Sequence, residues 1–247
     1  MIIEPPGCSP YKVLIARGSS EHAYSTLLSM SVTKRKTPIM IVTDDSVYQL
    51  WKSHIVALSQ EAEAPSGSTC ILDPGESHKN FNSVLDCLGC LQMHTKTPLV
   101  VNIGGGVVGD IGAFAASIYK HGIRYVNIPT TLLSMVDSCI GGKTGVNWDG
   151  FKNYAGTIHH PAAVIVDPRF LSTLPAEEIR QGIAEIVKYG IIADADIYDN
   201  VLEYSEDLYS IFSDIHEDNC EVDMFILKCL RAKARFLQPN ACGYIHN

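Results

Sequence analysis

The sequence predicts an α/β protein on three observations. Over the first 130 residues, short apolar runs alternate with longer segments whose apolar residues recur three and four apart. That is the pattern of βα units building a mostly parallel sheet. A run of glycines separates one of the apolar runs from a helical segment, and beyond residue 165 the patterning is helical. The expectation is a Rossmann-like N-terminal domain with a mostly parallel sheet over residues 1–165, followed by a mainly α-helical C-terminal domain over residues 166–247.

The expected strands are "YKVLIA" (11–16), "PIMIVT" (38–43), "TCILD" (69–73), "PLVVNI" (98–103) and "RYVNIP" (124–129). Between them "SEHAYSTLLSM", "SVYQLWKSHIVAL" and "KNFNSVLDCLGCLQM" have the spacing of amphipathic helices. After Pro129 one further strand is expected, "AAVIVDP" (162–168). The segment "LPAEEIRQGIAEIVKYGII" reads as a long helix, with Pro175 in its first turn and Glu177 and Glu178 at its positive end.

A chain of 247 residues is long enough for two modest domains, at roughly 100 to 200 residues each. Its net charge of −8 argues against a general nucleic-acid surface, so an anionic ligand has to be held by local lysines. No apolar run is long enough to span a bilayer, and "MIIEPPGCSPYKV" lacks a basic region followed by an apolar core. The expectation is a soluble cytoplasmic protein with no membrane partner. The 8 cysteines are scattered and read as reduced. Cys87 and Cys90 form a lone CxxC inside a helical pattern and are expected to pack in the interior.

Gly104-Gly105-Gly106-Val107-Val108-Gly109 satisfies GxGxxG and stands between the strand "LVVNI" and the helical "DIGAFAASIY". In that context backbone amides and a helix N-terminus can receive a pyrophosphate. Asp44 and Asp45, after "PIMIVT", offer a carboxylate to adenosine hydroxyls. These glycines follow the fourth expected strand, so the dinucleotide is expected against a later turn than in an ordinary Rossmann domain.

The stretch "DSCIGGKTGVNWDGFKN" (137–153) ends one of its glycine runs in Gly142-Lys143-Thr144, like a P-loop. Asp137 stands where that motif needs its first glycine, and its carboxylate would repel phosphate. Further on, Glu185 and Lys188 lie three apart on one helix face, flanked by apolar Ile183, Ala184, Ile186 and Val187. The pair reads either as an exposed ion pair of little consequence or as the lining of an enclosed site.

"GGGVVGD", "PTTLLSMVDSCIGGKTGVN", "KN" at 152–153 and "GIAEIVKYG" together resemble the successive motifs of the 3-dehydroquinate synthases and wider sugar phosphate cyclases. "DPGESHKN" resembles the family's PDGExxK turn through Glu76 and Lys79. The resemblance implies an enzyme using NAD and a divalent metal, zinc or cobalt, to cyclise 3-deoxy-arabino-heptulosonate 7-phosphate to 3-dehydroquinate with phosphate release. It implies Gly104, Gly105, Gly106, Asp110, Thr130, Thr131, Asp44, Glu76 and Lys79 at the dinucleotide. It further implies Asp137, Lys143, Lys152, Asn153 and Lys188 around the sugar acid phosphate, Glu185 on the metal, and a homodimer. Relatives acting on sedoheptulose 7-phosphate or making 2-deoxy-scyllo-inosose, and a catalytically impaired NAD-binding fragment, are the alternatives.

Two departures accompany the resemblance. The family's two further zinc histidines come from a later helical region, so the C-terminal domain is expected to be incomplete; His159, His160, His216 and His246 have no ligand-like spacing with Glu185 and are expected on the surface or in loops. His121 stands where the family usually carries a substrate-binding arginine, with Lys120 and Arg124 as the nearest cations.

Overall fold

The computed structural model describes residues 1–5, 8–215 and 220–237. Elements follow in the order β1 (Ile2–Ile3), β2 (Tyr11–Ile15), α1 (Ala23–Ser29), β3 (Ile39–Asp44), α2 (Asp45–Glu61), β4 (Thr69–Leu72), α3 (Phe81–Gln92), β5 (Leu99–Gly104) and α4 (Gly106–Ile118). Then come β6 (Tyr125–Pro129), β7 (Lys143–Trp148), β8 (Phe151–Ile158), β9 (Ala163–Val166), α5 (Ala176–Ile192), α6 (Ala195–Glu203), α7 (Leu208–Ser213) and α8 (Cys220–Phe236). All six expected strands are present.

The main sheet has the order β1-β2-β9-β6-β5-β3-β4 and is parallel except for β1. Its central strands are apolar on both faces because both faces are covered. Along β3, Ile39 and Ile41 enter one buried cluster and Met40 and Val42 the other. The first of these clusters runs on from the sheet into the helical half, where Ile186 of α5 and Phe225 and Cys229 of α8 join Val164 of β9. Beyond β9 every described regular element is helical. No described helix is long and apolar enough to cross a membrane.

Three features differ from the sequence reading. β7 and β8 form an antiparallel hairpin that was not expected. Its signal was Asp149-Gly150, both left-handed (φ 50° and 82°), the dipeptide that turns two-residue hairpins. Pro175 is the residue before α5, not part of its first turn, since its ψ of 148° is extended. β1 adds a short antiparallel edge beside β2. Cys87 is fully buried against Cys70, with sulfurs 3.9 Å apart, and Cys90 is half-buried.

The loop after β2 is tied to the end of β9 by a buried carboxylate. Asp167 accepts from Ser20 N at 3.1 Å and Ser20 Oγ at 2.6 Å, and Arg169 Nη2 reaches it at 3.2 Å. Burial alone would raise its pKa, but the Arg169 and Ser20 donors outweigh burial and lower it. A carboxyl with a depressed folded-state pKa stabilises above its unfolded value and ceases to as pH falls through the folded one. Asp167→Asn is therefore expected to cost about 2 kcal/mol near neutrality. Thermal melts from pH 7 downward should show that difference shrinking once the pH passes below the ordinary Asp value of about 3.9; a constant difference would contradict this account.

Candidate active site

The chain reverses its course across the sheet between β3 and β5: β3 leads outward to β4, and β5 leads the other way to β6. Loops diverge at such a switch and leave a crevice at the carboxyl ends of the strands. This is why the glycine turn follows a later strand: β5, not β2, ends beside the switch. Gly105 caps α4 with no side-chain acceptor, so the first amides of the helix are left for a ligand. The glycines are required by close approach. A Cβ on Gly104 would lie 2.6 Å from Val108 Cβ, and one on Gly105 would lie 2.9 Å from Thr131 Cγ2.

Around this cradle, Thr130 N donates to Gly104 O at 3.0 Å, while the buried Thr130 hydroxyl has no partner among the described residues. Thr131 Oγ1 accepts from Ser134 N at 3.2 Å. Asp44 caps α2, accepting from Val47 N at 2.9 Å, and burial raises its pKa. An uncapped helix start, close-packed glycines and an orphaned buried hydroxyl fit a bound dinucleotide.

The β4–α3 loop brings the next group. Lys79, buried, donates to Asp110 Oδ2 and to Asn153 Oδ1, each at 2.5 Å. Asn147 of β7 holds the same loop, donating from Nδ2 to Glu76 Oε1 and from its backbone to Lys79 O, both at 2.9 Å. Its Oδ1 also accepts from Asn153 N at 2.8 Å, which steadies the left-handed Asn153 (φ 52°). Burial raises the Asp110 pKa against the opposing charges of Lys79 and Lys233.

A π-helical turn, Ser134–Ser138, carries Asp137. Its Oδ1 accepts from the Tyr189 hydroxyl of α5 and pairs with Lys233 Nζ of α8 at 2.9 Å. Burial works against ionisation here, yet Lys233 and Tyr189 prevail and the Asp137 pKa is lowered. Next along α5, Glu185 pairs with Lys188, whose ammonium sits 5.1 Å from the centre of the Tyr189 ring. Glu185 is half-buried and Lys188 exposed.

Lys143 and Lys152 are exposed. Lys143 begins β7 opposite Ile158, and that end of the hairpin meets the last turns of α4 through Thr157 Oγ1 and Ser117 Oγ, 2.7 Å apart. Asn147 is four residues further on, about 13 Å along the strand. His121 lies just past the C-terminal end of α4, about 20 Å of helix from Gly105. His159 and His160 lie between β8 and β9, half-buried, whereas His216 and His246 lie outside the described residues.

Among the described residues no group of three His, Cys, Asp or Glu side chains could hold a metal ion. Catalytic zinc generally takes three protein ligands, so these residues do not fit such a site. Three participants escaped the sequence reading: Asn147, Tyr189 and Lys233. Lys233 had a signal, since Phe225, Cys229 and Lys233 are spaced by four along α8 and the first two are fully buried.

Residues 69–181 match the family model described as 3-dehydroquinate synthase N-terminal. A 3-dehydroquinate synthase of Prochlorococcus marinus is 39% identical over 210 residues, covering 83% of this chain and 56% of the relative. One from Streptococcus sanguinis is 40% identical over 199 residues, covering 78% and 54%. The chain thus spans just over half the length of the curated relatives it matches. Among solved structures, 2-epi-5-epi-valiolone synthase of Streptomyces hygroscopicus subsp. jinggangensis, with NAD+ and Zn2+ bound, superposes with a TM-score of 0.80 at 28% identity, covering 98% of this chain and 65% of that one. A 2-deoxy-scyllo-inosose synthase in complex with carbaglucose-6-phosphate, NAD+ and Co2+ shares the fold, with a TM-score of 0.75 at 20% identity over 96% and 63% of the two chains.

The Lys79–Asp110 pair yields a pH-dependent expectation. A carboxyl whose folded-state pKa is raised contributes less to stability as pH climbs from its unfolded value through its folded one. Without Lys79 that pKa rises further, so Lys79→Met should destabilise by about 3 kcal/mol at pH 8. Thermal melts should show a smaller loss at pH 5; equal losses at both pH values would contradict the electrostatic account.

Proposed function

Since the chain belongs to the 3-dehydroquinate synthase family, we propose that it serves the NAD-dependent cyclisation of 3-deoxy-arabino-heptulosonate 7-phosphate to 3-dehydroquinate, with release of phosphate. The observation that carries this reading is the uncapped, close-packed glycine cradle at the sheet's switch point, with the buried Thr130 hydroxyl beside it. The dinucleotide, when bound, supplies transient oxidation of one substrate hydroxyl.

Gly104, Gly105 and Gly106 admit the pyrophosphate to the start of α4, with Asp44, Glu76, Thr130 and Thr131 about it. Lys79 is a positioning residue, because its ammonium is committed to Asp110 and Asn153. Asp137 is held ionised, with Oδ1 engaged by Tyr189 and Lys233. Oδ2 then remains to accept a hydrogen bond from a substrate hydroxyl. Its low pKa makes it a poor base and a good anchor. Lys143, Lys152 and Lys188 serve as point charges for the substrate's carboxylate and phosphate, with Asn153 holding a hydroxyl. The same reading carries a homodimer and a cytoplasmic location.

Glu185 was expected on a metal, yet among the described residues no group of three His, Cys, Asp or Glu side chains could hold one. The absence of a three-donor group among the described residues favours a second reading, dinucleotide binding without turnover. Sedoheptulose 7-phosphate, which the family resemblance assigns to other sugar phosphate cyclases, is the rival substrate.

Phosphate release by the purified chain, with NAD and zinc present and each sugar phosphate supplied in turn, tests the proposal. Release coupled to dehydroquinate supports it, and preference for sedoheptulose 7-phosphate reassigns the substrate. NAD binding without release leaves the second reading. Gly105→Ala should weaken NAD at least tenfold by calorimetry, about 1.4 kcal/mol, with little change in fold by circular dichroism. Lys143→Ala should raise KM while NAD affinity and Tm stay near wild type; a large drop in Tm would make Lys143 structural.

A further inference from the structure

At the amino-terminal end of the sheet, opposite the glycine cradle, three loops lead into β3, β5 and β6. They carry Lys34, Arg35, Lys36, Lys96, Lys120 and Arg124, all exposed. The loops adjoin: Leu99 N donates to Pro38 O at 2.8 Å, Val100 N to Arg124 O at 3.1 Å and Arg124 Nη1 to Val32 O at 2.8 Å. A cleft of about 340 Å³ opens among them, lined in part by Thr37, Thr97, Gly122 and Arg124. Among the described residues none of the six cations forms an ion pair. In a chain of net charge −8 this end inverts the sign of the whole.

The local backbone points the same way. Thr37 closes a turn on Lys34, its N donating to Lys34 O at 3.0 Å and its Oγ1 accepting from Lys34 N at 3.3 Å. Inside that turn Lys36 is left-handed, with φ 65°, and across the cleft Lys120 is left-handed, with φ 47°. Glycine or asparagine takes that conformation at least cost. Lysine there adds strain and, being exposed, no core packing; Lys120 lies over the ring of Tyr119, 5.3 Å from its centre. What each position offers is a positive charge directed at solvent.

We propose that this end of the sheet is a second anion site, binding a phosphorylated small molecule. Unused N–H groups of Arg124 and the Thr37 and Thr97 hydroxyls can meet phosphate oxygens in the cleft, while the lysines around it neutralise charge. The volume lies at the lower end of the range for small-molecule pockets, which suits a compact phosphate ester. Cations ringing a cleft fit such a ligand better than they fit a nucleic-acid backbone, which calls for a continuous stripe. The site involves neither the dinucleotide cradle nor Lys143, Lys152 and Lys188, although Lys120 and Arg124 flank His121, where the family resemblance implies a substrate-binding arginine.

Calorimetric titration of the full chain with pyrophosphate, at constant ionic strength, tests it. Saturable binding with one molecule per chain is expected. It should weaken at least tenfold in Lys34→Gln/Arg35→Gln/Lys36→Gln, with NAD affinity and Tm unchanged, and in Arg124→Gln, with NAD affinity unchanged. Glucose 6-phosphate and inorganic phosphate, titrated separately, distinguish a phosphate ester from free phosphate as the ligand, and either binding here supports the site. Unchanged affinity in both basic-loop variants overturns the proposal. So does a loss confined to Lys143→Ala/Lys152→Ala, which would place the anion among the proposed substrate residues. Displacement of pyrophosphate by a single-stranded oligonucleotide at far lower concentration would make the surface a nucleic-acid site instead.

Discussion

The arrangement around the crevice depends on one buried ammonium. Lys79 comes from the loop between β4 and α3, Asp110 from the first turns of α4, and Asn153 from the hairpin. A lysine at 5% exposure is costly to desolvate unless its donors are used, and here they are. That requirement draws three separately folded pieces to one point. Asn147 reinforces it from the hairpin side, and Asn80, the residue after Lys79, caps α3 by accepting from Asn82 N at 2.9 Å. Loop, helix and hairpin can then move little without leaving a charge unsatisfied.

The two carboxylates of the crevice are pushed in opposite directions. Asp110 is raised because burial outweighs Lys79, whereas Asp137 is lowered because Lys233 and the Tyr189 hydroxyl outweigh burial. The charge of Lys233 favours ionisation of both, and its ammonium pairs directly with Asp137 at 2.9 Å. Neighbouring acids with separated pKa values suit different tasks. Asp110 sits in a structural clamp, and Asp137 presents a fixed negative charge whose Oδ1 is engaged by Tyr189 and Lys233.

Much of the fold was legible in the chain itself. β3, β5, β6 and β9 are short apolar runs because both faces of a parallel sheet are covered, and the glycine turn was legible because only glycine permits the approach of Val108 and Thr131. The Asp149-Gly150 turn was written in the sequence too, but alternation in β7 and β8 is weak since β8 is largely exposed. The metal expectation for Glu185 rested on resemblance, and among the described residues no group of three His, Cys, Asp or Glu donors forms.

The sequence by itself determined the six parallel strands, the long helices and the glycine turn, because these follow from local spacing and from the absence of a Cβ. Which charges meet was decided by tertiary structure alone. Lys233 lies 96 residues from Asp137, and Lys79 lies 74 from Asn153. Nothing in local periodicity encodes such pairings, which arise when helix packing and sheet order bring distant segments into a common low-dielectric space where an unpaired charge would be costly.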